Sequence, residues 1–190
     1  MKIGKLIFFI SMISFLASAY GQPSGKGTYI DVSNDFFIEY PDQWELEEGE
    51  EGVVTLYSPY EANDNGDDIS DFEEKIQITP SQWDEGTLDE FVDANFNPIE
   101  WEESFSEIKI TKKGKETING KDSRWVIFTY SIDEIPMTAI LYFIKNSNKI
   151  VSILAVSKTD DFEMIYKKIY LEVIRSTRSY IDSKTPNLKK

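Results

Sequence analysis

Apolar residues recur along this chain with two periods, and the switches between them predict the order of elements. Alternation comes first: Ile30 and Val32 flank Asp31, and Phe36-Phe37-Ile38-Glu39-Tyr40 forms a second short β-like run closed by Pro41. Val53 to Tyr57 predicts a third strand, with Pro59 beyond it. Lys75 to Thr79, with Ile76 and Ile78 on one face, predicts a fourth, stopped by Pro80. The period then changes. Thr87-Leu88-Asp89-Glu90 has capping-box spacing, in which the hydroxyl accepts from the third amide while the carboxylate reaches back. Behind it, Leu88, Phe91, Val92 and Phe96 line one face of a helix that ends near Asn97-Pro98.

The β pattern returns at Phe105. Ile108 and Ile110 alternate before Lys112-Lys113-Gly114-Lys115, and Asn119-Gly120 marks a hairpin because both residues tolerate positive φ. Trp125 to Ile132 predicts a long strand. Met137 to Ile144 and Ile150 to Val156 predict a further pair joined through Asn146-Ser147-Asn148-Lys149. Last comes an amphipathic helix capped by Asp160 with Glu163. Phe162, Ile165, Tyr166, Ile169, Tyr170, Val173 and Ile174 form its apolar stripe, and Arg175 and Arg178 suit its C-terminal dipole. Short strands joined by hairpin-sized turns, with only two helices, predict an α+β fold: an antiparallel sheet covered by helices.

The opening residues add a compartment. Lys2 and Lys5 precede the apolar run Leu6 to Leu16, and Ala17-Ser18-Ala19 supplies small residues for a signal peptidase. That run is 11 residues, against the ~20 a spanning helix needs, so a cleaved secretory signal over 1–21 is the better reading than an uncleaved anchor. Cleavage after Ala19 leaves Tyr20 first, and cleavage after Gly21 leaves Gln22. With no Cys in the chain the segment is not a lipoprotein signal, and disulfides and thiolate chemistry are excluded. Residues 22–27 read as a lead-in tether, 28–178 as one domain and 179–190 as a frayed tail. Secretion or a periplasmic location follows, with no membrane insertion after signal cleavage.

Charge narrows the partners. The formal net charge is −14, which disfavours nucleic acid and anionic lipid surfaces. Residues 31–107 hold 25 acidic residues against the single base Lys75, whereas residues 108–190 hold 16 bases against 9 acids. An acidic surface of this size serves solubility first, and a basic partner or divalent cations second.

Within the acidic region, Glu61-Ala62-Asn63-Asp64-Asn65-Gly66-Asp67-Asp68 alternates oxygen ligands around a glycine. Glu61, Asp64, Asp67 and Asp68 are therefore candidate Ca²⁺ ligands in the 61–74 loop. Flanking helices are not predicted, so the loop is not an EF-hand. Trp44 and Trp125 lie in patterned segments and read as core. Trp83 and Trp101 flank the first helix and either staple its ends or form a partner-contact patch. Without His or Cys, the usual triads, thiolate nucleophiles and zinc sites have no residues to build them, and no catalytic residue or cofactor is assigned.

Phe36 to Tyr40 followed by Pro41 and Trp44 resembles the F-x-I-x-Y-P-x-x-W opening of PsbP-like domains. Leu56-Tyr57-Ser58-Pro59, the acidic stretch through Asp71-Phe72-Glu73-Glu74 into Ile76 and Ile78, the Ile118-Asn119-Gly120 hairpin, the Trp125 to Tyr130 strand and the closing helix follow in matching order over roughly 28–178. The resemblance implies an antiparallel sheet sandwiched by helices and a non-catalytic role, as in extrinsic photosystem II subunits and a Ran-binding relative. It does not carry the photosystem function over, since imidazole chemistry has no counterpart here. The expectation is an exported, non-catalytic binding or assembly protein whose partner is a protein. A Ca²⁺-dependent binder and a carboxylate-based hydrolase are the alternatives.

Overall fold

The computed structural model describes residues 25–59, 74–84, 86–97, 106–132 and 134–181. The signal segment, the calcium candidates Glu61, Asp64, Asp67 and Asp68, and Trp101 lie outside the described residues.

In chain order the strands are β1 (Lys26–Asp31), β2 (Phe36–Pro41), β3 (Glu45–Glu48), β4 (Val54–Tyr57) and β5 (Lys75–Gln82). Helix α1 (Leu88–Asn95) follows, then β6 (Ser106–Ile118), β7 (Lys121–Ile132), β8 (Ile135–Asn146) and β9 (Lys149–Lys158). The chain closes with α2 (Thr159–Ile165), a π-helical turn (Tyr166–Tyr170) and α3 (Leu171–Ser176). Strands β1 and β2 pair as a separate ribbon. The others form a seven-stranded antiparallel sheet ordered β3-β4-β5-β9-β8-β7-β6.

Strict alternation along the central strands builds two cores from one sheet. On β8, Ile140, Tyr142 and Ile144 join the core beneath the closing helix, while Ala139, Leu141 and Phe143 join the core beneath α1. The ribbon shares the first core through Phe36 and Ile38, and Trp44 meets Tyr170 edge-on at 6.5 Å. Both faces are thus covered in part, which explains why β8 and β9 carry long apolar runs instead of polar alternation.

Local chemistry explains the turns. Asn119 (φ 48°) and Gly120 (φ 78°) make the β6–β7 hairpin, and the Asn119 amide donates to the carbonyls of Arg175 (2.7 Å) and Thr177 (2.9 Å). One residue therefore both turns a hairpin and satisfies carbonyls at the end of α3. Asp35 (φ 53°) does similar double duty in the ribbon turn. Its carboxylate accepts from the Ser179 hydroxyl (2.8 Å) and the Ile181 amide (3.0 Å).

Several sequence expectations change. Order begins by Lys26, so the last two residues expected in the tether belong to β1. The C-terminal end extends further too: Phe37 and Arg178 exchange backbone hydrogen bonds, the Arg178 guanidinium lies 4.2 Å from the Phe37 ring centroid, and Ser179 is buried. The lysine-rich stretch after Ile110 does not end a strand; β6 passes through it with a register shift between Ile110 and Lys112. The expected Asp160–Glu163 cap is absent, because the helix starts at Thr159 behind Lys158 without a side-chain cap. The 3.6-residue period of the closing helix is interrupted by a π turn at Tyr166–Tyr170. There the Leu171 amide reaches back to the Tyr166 carbonyl, and the buried Tyr170 hydroxyl donates to Val156 O at 2.6 Å.

The two sheet edges carry opposite charge. Glu45, Glu47 and Glu48 are exposed on β3, and Lys109, Lys112, Lys113 and Lys115 are exposed on β6. Like charge along an open edge blocks pairing with the same edge of another copy.

Candidate functional site

Helix α1 covers only part of its side of the sheet. Thr87 caps it with both halves of the predicted box: the Thr87 hydroxyl accepts from Glu90 N (3.2 Å), and the Glu90 carboxylate accepts from Thr87 N (2.6 Å). Donation to the carboxylate from Thr87 N, and from the Thr87 hydroxyl at 3.0 Å, holds the Glu90 carboxyl below its ordinary value. Phe91 then stacks edge-on against Phe143 at 5.7 Å, and Phe96 packs on Phe128 at 5.3 Å. Arg124 on β7 and Lys115 on β6 reach the helix through Asp89, at 2.6 Å and 3.1 Å. Their hydrogen bonds lower the Asp89 carboxyl from 3.8 to about 2. All these anchors draw α1 over β7 and β8.

Trp83 serves that placement. Its ring meets Phe91 edge-on at 5.0 Å and lies over Gly86, where the positive φ (96°) strains any side chain and a Cβ would come within 3.2 Å of Trp83 Cζ2. The indole is half-buried and staples the start of α1. Trp101, its expected companion, lies outside the described residues.

Among the described residues, the other half of that sheet face stays open. The register aligns Glu45, Tyr57 and Lys75 in one row across β3, β4 and β5, with Val156 of β9 continuing it. The next row holds Glu47, Thr55, Gln77 and Leu154, and Thr79 pairs with Ser152 beyond it. Where this face meets α1, Gln77, Thr79, Ser81, Asn95, Ser152 and Leu154 line a shallow groove walled by Phe91 and Phe143. β5 contributes Gln77, Thr79 and Ser81, and the helix contributes Phe91 and Asn95.

Lys75 is the unusual member. It is partly buried, its ammonium pKa is lowered by burial, and among the described residues no carboxylate forms an ion pair with it. Sequence reasoning counted Lys75 as the one base in an acidic stretch without assigning it a place. The strand pairing that sets it beside Tyr57 is not visible in linear order.

On the opposite face, Tyr142 donates a short hydrogen bond to Glu116 and stacks with Trp125 at 6.4 Å, where Trp125 lies over Gly114. Burial raises the Tyr142 hydroxyl, with Glu116 adding to the effect, so it stays protonated. This cluster joins the β6–β7 edge to the closing helix. No group of three or more His, Cys, Asp or Glu side chains converges as a metal site among the described residues.

No protein-family model and no curated protein sequence matches the chain. Solved structures do match. Cyanobacterial PsbP from Synechocystis sp. PCC 6803 superposes with a TM-score of 0.60 at 14% identity, covering 87% of this chain and 99% of that one. The chain has the PsbP-like fold. LpqN of Mycobacterium tuberculosis, involved in cell envelope biogenesis, shares it with a TM-score of 0.55 at 14% identity over 83% of this chain and 86% of that one. The Ran-binding protein Mog1p of Saccharomyces cerevisiae has the same TM-score of 0.55 at 8% identity, over 83% of this chain and 96% of that one. The PsbP-like fold agrees with the antiparallel, helix-covered sheet expected from the order of motifs. At these identities the likeness is one of architecture, and chemistry must be argued from this chain's own residues.

Proposed function

We propose that this chain is an exported, non-catalytic PsbP-like protein that binds another protein or assists assembly of an envelope or extracellular complex. The observation that carries this reading is the open half of the sheet beside α1. Strands there present the half-buried Thr55, Tyr57, Gln77 and Thr79 in register beside a water-sized pocket, which suits contact with a macromolecular surface. The displaced carboxylates, Asp89 and Glu90, are both held below their usual range by hydrogen-bond donors, whereas a general acid needs the opposite shift. The name of one structural neighbour describes Ran binding, and that of another describes envelope biogenesis. Export rests on the Lys2-to-Ala19 signal pattern. No helix among the described residues is long and apolar enough to cross a membrane.

Cross-linking capture from the host envelope and medium, followed by reconstitution with the purified candidate, tests the proposal. The expected result is one protein that binds in both capture directions. Recovery of no partner, together with turnover in a panel of glycoside, ester and peptide substrates, overturns it. The calcium alternative through Glu61, Asp64, Asp67 and Asp68 is tested by melting temperature, and no shift at millimolar Ca²⁺ removes it.

A further inference from the structure

Three features meet on this sheet face: the partly buried cation Lys75, a polar strand and the half-buried Leu154. Lys75 and Gln77 point to the same side of β5, about 7 Å apart along the strand at the usual rise per residue. Lys75 is the single base between residues 31 and 107, yet among the described residues it has no carboxylate partner. A cation taken partly out of water without a counter-charge costs stability, and an incoming carboxylate that pairs with it recovers that cost. The half-buried Leu154 gives the ligand an apolar contact next to the Gln77 and Thr79 side chains, with the core rings Phe91 and Phe143 beneath. Glu45 and Glu47 rim the face from β3, so a run of acids is repelled where a single carboxylate is accepted.

We propose that this face docks a segment of the partner protein that presents one carboxylate to Lys75 and a neighbouring apolar side chain to the groove at Gln77, Thr79 and Leu154. The proposal rests on the protein-binding reading above and adds the surface and the chemistry it recognises.

N-acetylphenylalanine is the probe, with its primary amide as the uncharged control, followed by nuclear magnetic resonance on the exported form of the chain. The carboxylate perturbs Lys75, Gln77, Thr79 and Leu154, and affinity falls about tenfold for the amide and for Lys75→Met. Lys75→Met is expected to melt at the same temperature or higher, since it removes an uncompensated charge and keeps the stem. Equal binding of acid and amide, or unchanged binding by Lys75→Met, overturns the proposal. So does binding that appears only after Asp64, Asp67, Asp68 and Asp71 are changed to Asn, which makes the chain's own acidic stretch the occupant. A captured partner unaffected by Lys75→Met docks elsewhere: the general function stands and this surface falls. Probe binding with no protein partner has the reverse meaning.

Discussion

The Arg124 Nε lies 2.6 Å from the Asp89 carboxylate and ties the first turn of α1 to β7. The same guanidinium donates to Asp122 at 2.7 Å, so one mostly covered arginine spans helix and sheet. Together with the packing of Leu88, Phe91 and Phe96, this bridge places α1 over β7 and β8.

The bridge makes a pH prediction. The Asp89 carboxyl sits at about 2 against an ordinary 3.8, because hydrogen bonds from Arg124 and Lys115 favour its charged form. Its contribution is therefore present above the unfolded value and is lost as pH falls from roughly 4 through about 2. Side-chain carboxyl resonances are expected to show the low midpoint, and Arg124→Met is expected to return it toward the ordinary value. An Asp89 midpoint near 4 in the parent chain contradicts the bridge.

Gly114 is required by a close approach. A Cβ there would lie 2.5 Å from Trp125 Cζ2, so Gly114→Ala pushes the indole off β6 and disturbs its stack on Tyr142. Overpacking of this kind costs about 1–3 kcal/mol. Urea denaturation followed by tryptophan fluorescence measures it, and a red-shifted native emission is expected as Trp125 moves outward.

Asp35 links the ribbon turn to the C-terminal end. Asp35→Asn keeps a residue that tolerates positive φ but weakens the acceptor for Ser179 and Ile181, at about 1 kcal/mol. Asp35→Ala adds backbone strain and loses both bonds, at about 2–3 kcal/mol. Amide exchange at Ile181 is expected to quicken in both variants, and most in the alanine.

The lysines of β6 guard a long edge. Replacing Lys112 and Lys113 with Thr removes exposed charge from the last strand of the sheet. Concentration-dependent association is then expected in sedimentation velocity, absent from the parent and stronger at high salt, which screens the remaining charge.

Much of the architecture was legible because its signals are local. Thr87 and Glu90 sit three apart and form the box that spacing predicts; Asn119-Gly120 turns the hairpin that its φ tolerance predicts. Met137 to Ile144 reads as a strand and lies within β8; that Ile140, Leu141, Tyr142 and Phe143 are buried on both of its faces emerges from the fold. β3 was missed for an equally physical reason: its Glu-Leu-Glu-Glu has poor strand propensity, and edge position with charge guarding the rim outweighs that preference.

Linear order settled the periods, the capping box of α1, the Asn119-Gly120 turn and the lack of His and Cys, since these depend on residues within a few positions of one another or on composition. Only the folded chain decided that Asn119 closes the end of α3, that Asp35 holds Ser179, that α1 is drawn over β7 and β8, and that Lys75 stands beside Tyr57 with no ion-pair partner among the described residues. Those relationships join positions 18 to 144 residues apart, and pairing register and helix docking, not local preference, determine which side chains meet.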